Sequence, residues 1–186
     1  MHSALTTPDW STLPADAKRE RLLEAAERVY AEFGLDAPMP AVARAAGAGV
    51  GSLYRQFPSK DELVAALAER RMLRISARLD AALAQEEAWP AIREVLDYIL
   101  GDRAADDISA HAFAIAAADA PVREARRRVR SQLDQLVARA REQGALRADA
   151  TRLDLTLVIT SARATRHLGE AAWRRMVELA LDGLQR

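Results

Sequence analysis

The chain has 186 residues, half of them apolar but only 5% aromatic, with 27 basic and 27 acidic side chains and no cysteine. The missing cysteine excludes a disulfide framework and a thiolate metal site, and zero net charge argues against a protein that coats nucleic acid by charge alone. Alanine, leucine and arginine dominate, the composition of packed helices, so an all-α fold with almost no strand is expected.

Residues 1–15 carry Pro8, Pro14 and scattered Ser and Thr without periodicity and are expected to form a flexible arm, with Trp10 its one unexplained feature. From Asp16 the pattern turns helical. Leu22, Ala26, Val29, Tyr30 and Phe33 recur at the spacing of one apolar face, and Gly34 follows as a stop. Pro38 and Pro40 fit a first helical turn, so a short helix is predicted to reach Ala46 and to end at Gly47. A second short helix runs from after Gly49 to Phe57, where Pro58 prevents continuation.

Ser59 and Glu62 then form a capping pair for a long fourth helix reaching Gln85. Further helices are expected over 89–101, 107–119, 121–143, 151–168 and 169–184, about nine in all. Thr151 with Asp154 is a second capping pair, and Gly144 a stop. These elements divide into the arm at 1–15, a three-helix unit at 16–60 and a helical body at 61–186.

The window 37–60 stands apart electrostatically. It holds Arg44, Arg55 and Lys60 and no acid, whereas 16–36 holds four basic and six acidic residues. Within it, AVARAAGAGVGSLYRQF has the form of a helix-turn-helix: two short helices joined at a glycine, with small residues at Ala43 and Ala46 allowing close approach. The second helix is odd as a purely structural element, because Gly51 inside it is unfavourable by about 1 kcal/mol relative to alanine. Such a glycine suits a helix whose backbone must approach something closely. Ser52, Tyr54, Arg55 and Gln56 supply hydroxyl, guanidinium and amide groups, which bind phosphates and base edges. The glycine cluster is not a nucleotide-binding loop, since it lacks a preceding strand and a following Gly-Lys-Ser/Thr.

Val42-Ala43, Ala45-Ala46-Gly47, Gly51-Ser52-Leu53-Tyr54, Phe57 and Ser59-Lys60 resemble the DNA-binding signature of the TetR family, over about residues 21–67. The resemblance implies an N-terminal three-helix helix-turn-helix domain followed by a C-terminal helical bundle for ligand binding and dimerisation. It also implies a homodimeric repressor of palindromic double-stranded operator DNA, released by a small-molecule effector. Tyr54 and Lys60 would hold phosphates, and Val50, Ser52, Arg55 and Gln56 would face the major groove. Gly51 would allow close approach. Family members often have threonine at the position of Pro38 and serine at that of Gly49, so backbone N–H groups or Arg44 would replace any hydroxyl contact there.

The resemblance places an effector pocket in the C-terminal helices, for which Trp89, Tyr98, His111, Phe113 and Arg163 are the candidates. It places the dimer interface on the last two helices, with Leu157, Trp173, Val177, Leu181 and Leu184 as candidates. The five arginines within 123–130 read as a solvated helix face. No cofactor or metal is expected, since His2, His111 and His167 are far apart. Nor is an enzyme, because no nucleophile-base pairing is visible. With no apolar stretch of membrane-spanning length and no leader-like start, the expected location is the cytoplasm. The alternative is a helical small-molecule-binding protein whose motif no longer binds DNA.

Overall fold

A computed structural model describes residues 9–101 and 119–185. Over these it forms α1 (Ala15–Phe33), α2 (Met39–Ala46), α3 (Val50–Gln56), α4 (Lys60–Ala84), α5 (Ala88–Gly101), α6 (Ala120–Glu142), α7 (Arg152–Thr165) and α8 (Glu170–Asp182). Short 3-10 turns occur at Trp10–Thr12 and Arg166–Leu168. The helix expected over 107–119 lies outside the described residues. Extended pairing among the described residues is limited to an isolated bridge between Leu146 and Gln185. No helix among the described residues is long and apolar enough to cross a membrane.

Local chemistry sets most of the boundaries. The Ser59 hydroxyl accepts from the Glu62 N–H at 3.1 Å and opens α4. Thr151 and Asp154 make the expected capping box at the start of α7, the Asp154 carboxylate accepting from the Thr151 N–H at 2.7 Å. Asp119, expected to close one helix, instead caps the next by accepting from Val122 N–H at 3.1 Å. Two expectations at the N-terminus change. Asp9 caps the turn Trp10–Thr12, and Trp10 packs on the core beside α1, so the arm read as flexible over 1–15 is structured from Asp9 onward. Phe33, expected on the buried face of α1, is 64% exposed because the helix ends there and Leu35 and Ala37 take over the packing.

Two hydrophobic clusters result. One gathers α1, α2, Leu53, Phe57 and residues 63–68 of α4; the other runs from Met72 through α5 and the inner faces of α6, α7 and α8. Thus α4, about 37 Å long at 1.5 Å per residue, belongs to both cores. The division expected after residue 60 falls inside α4, between Ala68 and Met72.

Helix α6 lies along α4 in the same direction, the most extensive helix pair in the fold. Near its start, Val122 is buried in the N-terminal cluster. Midway, the amide of Gln132 takes the Ser76 hydroxyl at 2.9 Å and donates to the Ser76 carbonyl at 3.1 Å and to Asp80 at 2.6 Å. Near its end, Arg139 donates to the carbonyls of Leu83 and Gln85 at 2.7 and 2.6 Å. Gln143 then accepts from the Ala88 N–H at 2.9 Å and donates to the Glu86 carbonyl at 2.8 Å.

Candidate nucleic-acid interface

The turn between α2 and α3 is built on Gly47, at φ 67° and ψ 29°. Its N–H donates to the Arg44 carbonyl and that of Ala48 to the Ala43 carbonyl, the paired bonds of a left-handed helix stop. A side chain here would meet only the flexible end of Arg21, Nη2 at 3.1 Å, so it is the left-handed conformation that calls for glycine. Helix α3 starts at Gly49 without a side-chain cap and is seated by Leu53 and Phe57, both fully buried. The Arg19 guanidinium covers the Phe57 ring at 4.5 Å.

Helix α3 turns Gly51, Tyr54 and Arg55 away from those two anchors, while Val50, near the anchor side by the helical period, is exposed as the first residue of the helix. Val50 is 41% and Tyr54 44% exposed. Arg55 donates to the Ser52 hydroxyl at 3.0 Å, which holds its guanidinium across the face of α3. Nothing among the described residues requires glycine at 51, where a side chain would meet nothing nearer than Arg55 Nη1 at 3.9 Å. Gly49 is equally open. Arg44, at the end of α2, is exposed on the same unit.

Two candidates are placed differently from expectation. Gln56 lies about 200° around α3 from Tyr54 and lines a cleft of about 190 Å³ with Arg19, Glu62 and Asp119, on the flank turned toward α4 and α6. It is not grouped with the outward set. Lys60, the first residue of α4, is half-buried: its ammonium donates to the Ala37 carbonyl at 3.2 Å and stands 5.7 Å from the centre of the Tyr30 ring. It therefore ties the start of α4 to the entry of α2 while keeping charge at that corner. Beneath it the Tyr30 hydroxyl reaches only Met39 Sδ at 4.0 Å, and burial pushes its pKa up to about 12.

Two of the C-terminal candidates, Trp89 and Tyr98, do not converge. Trp89 is buried in the core with its indole N–H unpartnered, whereas Tyr98 lies half-buried beneath the Arg78 guanidinium at 4.8 Å. Nine residues apart on α5, the two occupy opposite faces. Arg163 is half-buried on α7, and His111 and Phe113 lie outside the described residues.

Of the expected interface residues, Val177 and Leu181 are buried within the chain itself, and Leu184 and Trp173 pack against the same core. Arg166 covers Trp173 at 4.2 Å. The stripe they form is the inner face of α8. Leu157 alone is open, at 55%; Leu153, Thr156, Thr160, Ser161 and Ala164 share its exposed face, with Leu168 exposed just before α8 and Leu179 exposed on it.

Comparison with known proteins gives this geometry its context. Residues 22–67 match the family described as bacterial regulatory proteins, tetR family, and residues 91–186 match the C-terminal domain described as transcriptional regulator SbtR-like. The crystal structure of a TetR transcription regulatory protein from Mycobacterium vanbaalenii is 32% identical, with a TM-score of 0.69 over 92% of this chain and 98% of that one. The regulator FadR from Bacillus subtilis, solved with stearoyl-CoA, shares the fold at 17% identity, with a TM-score of 0.66 over 89% and 99% of the two chains. The HTH-type transcriptional repressor KstR from Mycolicibacterium smegmatis is 41% identical over 76 residues, which span 39% of this chain and 37% of that repressor's length. The outward face of α3, the glycine stop before it and the matches across both halves of the chain agree: this protein belongs to the TetR family of bacterial transcriptional regulators.

Proposed function

We propose that the chain represses transcription as a two-fold dimer, each protomer laying α3 in the major groove of a near-palindromic operator, and that a small molecule taken up by the helical body releases it. The observation that carries the reading is α3 itself, a short helix fixed by Leu53 and Phe57 with Val50, Gly51, Tyr54 and Arg55 facing out. The surrounding window, residues 37–60, contains no acid. Val50, Ser52 and Arg55 read base edges; Tyr54, Arg44 and Lys60 hold phosphates; and Gly51 lets the helix backbone approach. Gln56 supports α3 from behind.

Dimerisation is supported by α7, whose exposed positions carry no charge along the whole helix, next to Leu168 and Leu179. A dimer built there sets two recognition helices roughly 34–36 Å apart, one turn of DNA. Release by a ligand is supported by membership of the family and by the acyl-CoA seen on the same fold in FadR. The protein works in the cytoplasm, where its operator is.

The test is a titration of the full chain against DNA from upstream of its own gene and against scrambled DNA, over a salt series. Preferential binding that weakens steeply with salt is expected, with Lys60→Ala weakening both DNAs alike and Leu157→Glu yielding a folded monomer of low affinity. Failure of the wild-type chain to bind either DNA overturns the reading in favour of a helical small-molecule-binding protein.

A further inference from the structure

Leu53 and Phe57 stand two residues to either side of Arg55, so each lies about 160° around α3 from it, and Arg55 occupies the middle of the face turned away from the core. Its side chain folds back along the helix. One guanidinium nitrogen, Nη2, donates to the Ser52 hydroxyl one turn earlier at 3.0 Å. The other, Nη1, lies 3.9 Å from where a Cβ on Gly51 would stand. The guanidinium is thus laid over residues 51 and 52, at the centre of the exposed surface of α3.

The partner that orients it is a hydroxyl. Arg74, Arg128 and Arg174 are each held by a carboxylate, at 3.0, 2.8 and 2.9 Å. A carboxylate fixes a guanidinium and cancels its charge, whereas a hydroxyl fixes it and leaves the charge in place. The bond to Ser52 takes one of the five N–H groups of a rigid plane, so orientation is gained while donor pairs remain for gripping an edge with two acceptors. Position decides which edge that is. Phosphates line the walls of a groove and bases its floor, and Arg55 is central on α3 while Tyr54 lies about 100° to one side. In the major groove guanine alone presents two adjacent acceptors, O6 and N7; adenine and cytosine offer an amino donor that a guanidinium repels, and thymine a single acceptor beside a methyl group.

We propose that Ser52 is a positioning residue that sets the Arg55 guanidinium as a guanine-reading fork, so that each half of the operator carries a guanine beneath the middle of α3. The inference rests on the reading of α3 as the recognition helix and adds to it the base that the helix selects. The share of Ser52 in base reading is exercised through Arg55. Without the hydroxyl the long side chain samples many rotamers, and the order it now has before binding must be imposed by the DNA.

The experiment is selection of binding sites by the full chain from a randomised duplex library, followed by titration of the selected site and of copies changed at single base pairs. Wild type should select one position in each half-site at which guanine is favoured about 5- to 150-fold over the other bases. Arg55→Ala should lose the preference at that position and keep it elsewhere. Ser52→Ala should cut it there about two- to tenfold, and Ser52→Thr, which keeps a hydroxyl, should restore it. Adding Ser52→Ala to Arg55→Ala should change nothing further, the signature of a residue that acts through another. A library from which wild type selects no sequence overturns the DNA-binding reading itself, and this inference with it. A selected site whose base preferences Arg55→Ala leaves unchanged, or at which it weakens all sequences alike with a smaller salt dependence, overturns this inference alone and makes Arg55 a phosphate contact. So does preference for another base at the position that Arg55 controls. A further loss of preference on adding Ser52→Ala to Arg55→Ala overturns the positioning role.

Discussion

The middle and the far end of α4 are held by different chemistry. Midway along it, Arg70 reaches Glu20 at 3.0 Å and Arg74 takes both oxygens of Glu27 at 3.0 and 3.2 Å, ion pairs that join α4 to α1 partly open to solvent. At its far end, Arg139 and Gln143 of α6 satisfy backbone groups that the end of α4 and the start of α5 leave without partners inside their own helices. Partly exposed ion pairs are screened and individually weak, whereas a carbonyl that loses a charged donor at a closed corner has nothing to replace it. The connection to the DNA-facing unit is therefore the adjustable one, and the connection to the body is fixed.

The largest test removes an anchor. Phe57→Ala should destabilise the N-terminal cluster by about 3–5 kcal/mol. Amide exchange should rise in α1 to α3 while α5 to α8 keep their protection; a uniform loss of protection would break the distinction between the two cores. Next comes Tyr30. Its pKa is raised in the fold, so the unfolded chain gives up this proton first, and stability holds below pH 10 and falls as pH rises toward 12. The loss by pH 12 should be about 2–3 kcal/mol. It should be absent from Tyr30→Phe in denaturant titrations across that range.

Arg139→Ala follows at about 2 kcal/mol, seen as a lower melting temperature with faster exchange at the corner between α4 and α5. Arg139→Lys should not rescue it, since one ammonium cannot reach both carbonyls in the geometry of the guanidinium. Smallest is Arg74→Ala, expected at about 0.5 kcal/mol or less and vanishing near 1 M salt. If Arg74→Ala proves as damaging as Arg139→Ala, the contrast between the middle and the far end of α4 fails.

Features that depend on a few neighbouring residues were legible in the sequence. Gly47, the Ser59 cap and the box at Thr151 and Asp154 are local chemistry, and each stands where the spacing placed it. The outward set on α3 was largely legible too, because two buried anchors and a helical period determine it. The flank on which Gln56 stands was not legible, because Glu62 and Asp119 meet it only in the folded chain. Val177 and Leu181 were misjudged because an apolar stripe looks the same whether it faces its own core or a second chain. Where the two cores meet was not legible, because α4 runs through both without any break in pattern.

The parallel course of α4 and α6 has a mechanical consequence. Each of the two helices starts in the N-terminal core, α4 through residues 63–68 and α6 through Val122, and their far ends are clamped together by Arg139. Such a pair acts as a double strut: neither helix can tilt alone without shearing the Gln132 contacts midway. A displacement of α6 is thereby shared with α4, and through Val122 and residues 63–68 it meets the core on which Leu53 and Phe57 seat α3.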